Sequence, residues 1–526
     1  MQQLSKIQCG ERKGGSAVSR LLRRYLHSRD GGVALPFALT AIPLTFMSIA
    51  AVDFHRATMV KTGLQDALDA ATLTVGRSTA TTASAVQSMG SSSLAANLTA
   101  YPNTHLVSST FTLEGSTVQA SAEVTVTPLV ADVFSGSDLH VTASSNVIRA
   151  ANNLEIAMVL DNTGSMSGTK ISLLKTASTN FVNTLSAAAA RSTDPNAVKI
   201  GLVPFSMTVN VGSGYQAASW IDQTGASPIN DQIFLTHANR FTLFQQMGKT
   251  WGGCVESRQS PYDVQDTAPS TGTPATLFTP FFAPDEPGSS SSSTTWNNQT
   301  WYNSYLNDST TNSSWSSRQG YVGKYNTHTF IHTGTNAVGY QYGPNAGCQL
   351  QSVMRLTTNW SNLKSAISGM NAIGDTNIPM GMMWGWHVLS PNAPFADGVA
   401  YNTPKTTKVV VMMTDGQNQD SDSGNSNASF YSGIGYIWQN RLGISSGTSS
   451  QRQTTLDSKL TTLCTNMKAQ GIVIYTVRVE VNDNQYGVLQ NCASSPDKFY
   501  DVQNATDLDA VFNTIAGSIQ NLRISH

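Results

Sequence analysis

The sequence predicts an α/β protein: a doubly wound, mainly parallel sheet with a large insertion, preceded by a membrane-spanning helix and a small β-containing module. Three observations predict it. From Leu154 onward, short apolar runs alternate with amphipathic stretches, the rhythm of buried parallel strands covered by helices on both faces. Gly31–Val52 is a run of 22 residues without a charge. Residues 106–150 instead alternate polar and apolar side chains, the period of antiparallel strands with one wet face.

The uncharged run follows an arm, residues 1–30, that holds Lys6, Arg12, Lys13, Arg20, Arg23, Arg24 and Arg29 against only Glu11 and Asp30. It is long enough to cross a hydrocarbon core of about 30 Å as a helix. Its flanking bases place the N-terminus in the cytoplasm and the chain after Asp53 outside. A cleaved secretory signal is the competing reading. Against it, the run is longer than a usual signal core, and its exit reads DFHRATMVKTGLQDALDAA rather than a small-x-small site. Pro36 and Pro43 are tolerated in membrane helices. Leu64, Ala67, Leu68, Ala71 and Leu73 keep roughly helical spacing, so one helix is expected from the membrane to about Val75.

Composition excludes several classes. Charged residues are 12% of the chain, against about 25% in ordinary soluble domains. The net charge of −1 argues against nucleic-acid binding through a basic field. A hydrophobic fraction of 40% excludes a mostly disordered chain and a polytopic membrane protein. Cys9 lies in the basic arm, whereas Cys254, Cys348, Cys464 and Cys492 lie on the outer side, an even number for an oxidising compartment. Three pairings exist; locality favours Cys464–Cys492 within one strand–helix unit and Cys254–Cys348 around an irregular segment. Unpaired thiols are the plainer alternative, and zinc is disfavoured because no CxxC pair exists.

The organisation follows. Residues 78–150 form the small β-containing linker module, with a turn at Glu114-Gly115. LEIAMVLD opens the α/β domain, 154–522, and the amphipathic KISLLKTASTNFVNTLSAA follows it. KIGLVPFS is a second strand, with MTVNVG returning beside it; TTKVVVMMTDG, GIVIYTVRVE and KFYDV are further strands, and ATDLDAVFNTIAGSIQNLR is the last helix. Between 213 and 351 the rhythm stops, for a stretch too long to be an ordinary loop. It reads as an insertion, with Trp296, Trp301 and Trp315 spaced through Ser, Thr and Asn. Those rings are either a sugar- or protein-binding surface or the core of an irregular subdomain.

Three pieces distant in sequence converge at strand ends, where ligands bind in such sheets. They are Asp161, Thr163 and Ser165 after the first strand, Thr376 in IGDTNIPMGMMWGWHVLSP, and Asp415 in VVVMMTDG. A set of hydroxyls and carboxylates suits a hard cation such as Mg²⁺ or Mn²⁺. The plainer reading makes Asp161 and Asp415 helix caps beside an empty relic. Asp420 and Asp422 read as a polar loop rather than a Ca²⁺ site. His328 and His332 read as surface histidines rather than a zinc pair.

This pattern of DxSxS-like hydroxyls, a distant Thr and a distant TDG resembles the von Willebrand factor A domain with its metal-ion-dependent adhesion site, over roughly Leu154–Leu522. The resemblance implies that Thr163, Ser165 and Thr376 coordinate the ion directly and that Asp161 and Asp415 act mostly through water. Thr163 stands where the family usually has Ser and keeps the hydroxyl. The wider layout, RDGGVALPFALTAIPL, VDFHRATMVKTGLQDALDAATL, VLDNTGSM and TNIPMGMMWGWHVLSP, resembles the TadG-type proteins of Flp (tight adherence) pilus assembly, with a TadG-like N-terminal region over 28–77 and the membrane helix at 31–53 within it. That resemblance implies a membrane-anchored envelope protein with pilin or pilus-assembly partners; in a two-membrane bacterium, a single inner-membrane span with its N-terminus inside delivers most of the chain to the periplasm. If cleavage followed Gly32, the fifth mature residue would be Phe37, where prepilins usually carry Glu, so an uncleaved anchor is expected.

No GxSxG, HExxH or phosphate-loop Lys occurs, and no enzyme is expected. The leading expectation is an assembly or adhesion protein whose metal site captures a carboxylate on a protein partner. The alternative is a surface adhesin reading carbohydrate through the Trp/Tyr-rich insertion.

Overall fold

The computed structural model describes residues 34–524 except 79, 81, 102–103, 115–116, 129–137, 149–151, 191, 193, 289–293, 309–313 and 482–486. The basic arm, Cys9, the first residues of the apolar run and the turn at Gly115 lie outside the described residues. The chain divides into two compact units, Met1–Ile148 and Arg149–His526.

In the first unit, α1 (Ala34–Arg77) is a single helix of 44 residues, about 66 Å at 1.5 Å per residue. Its N-terminal half turns Phe37, Leu39, Ile42, Leu44 and Met47 outward, and it is long and apolar enough to cross a membrane. Hydroxyls that apolar surroundings would leave unsatisfied bond back to the helix: Thr40 Oγ1 to Pro36 O, Thr45 Oγ1 to Ala41 O and Ser48 Oγ to Leu44 O. The C-terminal half buries Leu64, Ala67, Leu68, Ala71 and Val75 on one face, at the helical spacing read from sequence. α2 (Ala83–Leu98) packs beside it, and Gly90 is there because a Cβ would lie 2.3 Å from the Phe111 ring. Both helices cover one face of an antiparallel sheet, β1 (His105–Glu114), β2 (Thr117–Val126) and β3 (Leu139–Ile148), whose Phe111, Val118 and Val124 complete this core.

The second unit is built on β4 (Asn153–Asp161), α3 (Thr169–Ala189), β5 (Val198–Phe205), β6 (Val209–Asn210), β7 (Cys254–Val255), β8 (Met354–Thr357), α4 (Trp360–Ser368), α5 (Ile378–Leu389), β9 (Thr406–Thr414), α6 (Ser449–Ala469), β10 (Val473–Val479), β11 (Phe499–Val502) and α7 (Leu508–Ile524). The sheet runs β11-β10-β9-β4-β5-β6-β7, and β8 also pairs with β5. From β11 to β5 every pairing is parallel; β6, β7 and β8 add antiparallel pairing beyond β5. This is the doubly wound, mainly parallel sheet that the sequence predicts.

The strands are apolar on both sides because helices cover both faces. On one face, Leu174, Phe181 and Leu185 of α3, Ile367 of α4, and Phe512 and Ile515 of α7 pack on Ile156, Met158, Leu160, Val411 and Val477. On the other, Met380 and Trp384 of α5 and Leu460 and Leu463 of α6 pack on Val159, Val203, Val410 and Met412. α5 is buried along its whole length, and Gly385 lets it approach β4, since a Cβ would meet Val159 at 2.5 Å.

The segment between β6 and β8 lies over α5 and shares its core rather than enclosing one of its own. Trp220, Phe278, Phe281, Phe282 and Tyr305 join α5 in one apolar cluster. Trp301 is fully buried and stacks with the half-buried Trp315, while Trp296 is half-buried beneath Arg318. Buried charges in this segment are paired: Glu256 meets Arg240 and Arg441 and accepts a hydrogen bond from Tyr431, and Lys324 bridges Asp285 and Asp308. Disulfides join Cys254 to Cys348 and Cys464 to Cys492.

Candidate metal centre

Asp161 ends β4 and Asp415 follows β9, so two adjacent parallel strands deliver both acids to the carboxyl pole of the sheet. Backbone hydrogen bonds sew the three contributing loops together. Gly164 N donates to Gly374 O at 2.9 Å, Ile373 N to Asn162 O at 2.7 Å, and Gln419 N to Thr376 O at 2.8 Å.

Side chains, with the Thr163 backbone N–H, then form one continuous chain of contacts. Asp161 Oδ1 accepts from Thr163 N at 2.7 Å, and its Oδ2 accepts from Thr414 Oγ1 at 2.6 Å. Thr163 Oγ1 hydrogen-bonds Ser165 Oγ at 2.9 Å, and Ser165 Oγ donates its own hydrogen to Asp415 Oδ1 at 2.6 Å. Lys170 Nζ donates to Asp415 Oδ2 at 2.7 Å. Thr376 is buried at the same pole, and its Oγ1 faces Gly416. Asp161, Thr163, Thr376 and Asp415 are buried while Ser165 is exposed, so the cluster opens to solvent at Ser165.

Burial pushes the Asp161 carboxyl up to about 6, and the charge of Asp415 adds to the rise; hydrogen bonds from Thr414 and Thr163 oppose it. A second positive charge at this pole would relieve both causes. The donors also fit a small cation: neighbouring oxygens of an octahedron with bonds of about 2.1 Å stand about 3 Å apart, and Thr163 Oγ1 and Ser165 Oγ stand 2.9 Å apart. Among the described residues no group of three or more His, Cys, Asp or Glu side chains is placed to hold a metal ion; of the five cluster residues, three bring hydroxyls and two bring carboxyls.

The structure brings Asp161, Thr163, Ser165, Thr376 and Asp415 to one place. Lys170 and Thr414 are neighbours that sequence reasoning missed. Thr414 was legible as the residue before Asp415 in TDG, whereas Lys170 reads in sequence as an ordinary solvated charge on the first turn of α3. Asp420 lies in the loop after β9, where it is buried against Arg452 at 3.4 Å. Asp422 Oδ1 accepts from Gly424 N at 2.8 Å. His332 stacks on Tyr342 with Nδ1 against Ser304 O, away from any zinc arrangement.

A family model described as putative Flp pilus-assembly, TadE/G-like, matches residues 31–86, which comprise all of α1 and the start of α2. No curated protein matches the chain. Among solved structures, the pilus adhesin SpaC of Lactobacillus rhamnosus GG aligns with a TM-score of 0.32 at 12% identity, over 80% of this chain and 35% of that one. The vWF domain of the type V pili tip protein Mfa5 of Porphyromonas gingivalis gives 0.33 at 10% identity, over 72% and 97%. Proximal thread matrix protein 1 from the mussel byssus, with a zinc-occupied MIDAS motif, gives 0.27 at 12% identity, over 71% and 47%. The chain spans about a third of the length of the SpaC structure. It carries a TadE/G-like N-terminal segment joined to an α/β unit with an acid–hydroxyl cluster.

Proposed function

We propose that this chain is a membrane-anchored, non-enzymatic protein of Flp-type pilus assembly that captures a protein partner through a divalent cation, Mg²⁺ or Mn²⁺, at the Asp161–Asp415 cluster. The observation that carries the reading is the hydrogen-bonded run Asp161–Thr163–Ser165–Asp415, opening to solvent at Ser165, in a chain whose N-terminal helix carries the TadE/G-like segment.

In this reading Thr163, Ser165 and Thr376 offer their hydroxyl oxygens to the ion, and Asp161 and Asp415 hold water and charge around it. A bound divalent cation supplies a Lewis-acid position for a carboxylate on the partner. The chain's own contribution is rigidity: Asp161 ends one central strand, Asp415 directly follows its neighbour, and backbone bonds fix the loops around them. A cleft of about 280 Å³ is lined by residues that include Gly416, next to Asp415 in the chain, with Gln417, Asp457, Leu460 and Leu489. It offers room for the side chains flanking that carboxylate. The anchor holds the N-terminus in the cytoplasm and the α/β unit in the periplasm, where pilin and assembly proteins would meet it.

The test is co-purification of pilus components with the tagged full chain from membranes, with Mg²⁺ or with EDTA. Metal-dependent capture lost in both Asp161→Ala and Thr376→Ala supports the reading; capture equal in all samples contradicts it.

A further inference from the structure

Lys170 places a positive charge inside the cluster proposed to hold a cation. Its Nζ lies 2.7 Å from Asp415 Oδ2 and 3.6 Å from Glu480 Oε2. The Asp415 side chain is fully buried and that of Lys170 is 27% exposed, so the contact is partly shielded from water. Its position is built in by the chain. Gly168, at φ +79°, turns the backbone into α3 and puts Lys170 on the first turn of the helix, facing the pole.

Glu480 is held as deliberately. It follows β10 in the left-handed region at φ +54°, an unfavourable conformation for a residue with a Cβ. Its N–H donates to Val502 O at 2.8 Å, and its Oε1 accepts from Ala505 N at 2.9 Å. One carboxylate oxygen is thus committed to the backbone, and the other faces Lys170.

Resting on the proposed metal reading, we infer that Lys170 and Glu480 are the charge-compensating pair of this centre, with Lys170 an internal cation that competes with the divalent ion for Asp415. The charges fit this assignment. Asp161, Asp415 and Glu480 with Lys170 sum to −2, which one divalent ion neutralises. An ammonium touching Asp415 and a divalent ion beside Ser165 would stand within a few ångströms of each other, in surroundings too buried to screen their repulsion fully. Filling the site therefore weakens the Lys170–Asp415 contact. Glu480 lies 3.6 Å from Nζ, close enough to take the ammonium with a small side-chain shift. Lys170 thereby holds Asp415 in place in the metal-free protein and lowers the affinity of the loaded one, which makes ion binding reversible.

The two residues predict opposite effects. Removing the competing charge in Lys170→Met should tighten Mn²⁺ binding, on the order of tenfold at low ionic strength. Removing the alternative partner in Glu480→Gln should weaken it severalfold, because Lys170 then has Asp415 alone. The readout is a Mn²⁺ titration of the full chain in detergent micelles, followed by electron paramagnetic resonance of the free ion. Lys170→Gln serves as a second variant, and circular dichroism checks that each protein is folded. Wild type that binds, with affinity unchanged or weaker in both Lys170 variants, overturns the inference and leaves the metal reading standing. Wild type and all variants that fail to bind overturn both.

Discussion

Ser165 Oγ donates to Asp415 Oδ1 at 2.6 Å although 250 residues separate them in the chain. The contact exists because β4 and β9 are neighbours in the sheet, in a register that aligns Leu160 with Met413 and so ends both strands at the same level. The cluster is a product of the whole α/β unit rather than of one loop.

The protonation of Asp161 gives a prediction with a definite sign. Its folded carboxyl titrates near 6 against an ordinary value of 3.8, so between those values the native protein binds more protons than the unfolded one. Without metal, its contribution to stability therefore falls as pH rises from about 4 to about 6. Asp161→Asn should be more stable than wild type in chelator at pH 7, by about 1–3 kcal/mol, and the gap should narrow as pH falls below 6 and close only below about pH 3.8. Divalent binding should run the other way, weakening about tenfold per pH unit well below 6, since the ion needs the carboxylate. Thermal unfolding of both proteins across pH, with EDTA and with Mn²⁺, checks both limbs. His387, buried and held down to about 4, contributes a slope of opposite sign, which the comparison with Asp161→Asn removes.

Helix α5 supports the Thr376 loop by lying directly on the sheet. Gly385→Val would drive a side chain into Val159, whose Cγ2 is 2.5 Å from the position of a Cβ. We expect a loss of about 1–3 kcal/mol in urea unfolding of the α/β unit. Wild-type stability would mean that α5 is not seated on β4.

The Cys254–Cys348 bridge closes a loop of sequence separation 94 that contains most of the segment over α5. The Cys254→Ser/Cys348→Ser double variant should lose about 2–5 kcal/mol. A denaturation midpoint equal to wild type would show that burial of Phe281, Phe282 and Trp301 holds that segment without the bridge.

Trp301 and Trp296 separate core from surface in the aromatic-rich stretch. Trp301 is fully buried and its Nε1 donates to Trp296 O at 3.2 Å. Trp301→Ala should cost about 3–5 kcal/mol, whereas Trp296→Ala should change stability by less than about 1 kcal/mol. Equal, small effects would point to an exposed ring surface instead.

What could be read from sequence followed the strength of the physical signal. β4 and β9 were legible because strands buried on both faces become unbroken apolar runs, and the acids that end them marked the site before any fold was known. The C-terminal half of α1 was legible because Leu64, Ala67, Leu68 and Ala71 repeat at the helical period. β8 was not: Met354–Thr357 is four residues on an antiparallel edge, only partly buried, and carries no period. β7 is two residues, so its pairing with β6 depends on contacts distant in sequence. Lys170 and Glu480 escaped notice because a single charge on a helix turn or after a strand looks the same whether it faces water or another charge. Only the fold, which brings Thr169–Ala189 beside the ends of β9 and β10, tells the two apart.

The central claim is that the Asp161–Thr163–Ser165–Thr376–Asp415 cluster binds a divalent cation, and calorimetric titration of the full chain with Mg²⁺ and Mn²⁺ tests it most directly. The account predicts saturable binding of one ion per chain, abolished in Asp161→Ala and in Ser165→Ala while both variants keep the wild-type fold. Titrations without saturable heat in wild type, or with the same heat in all three proteins, would contradict it.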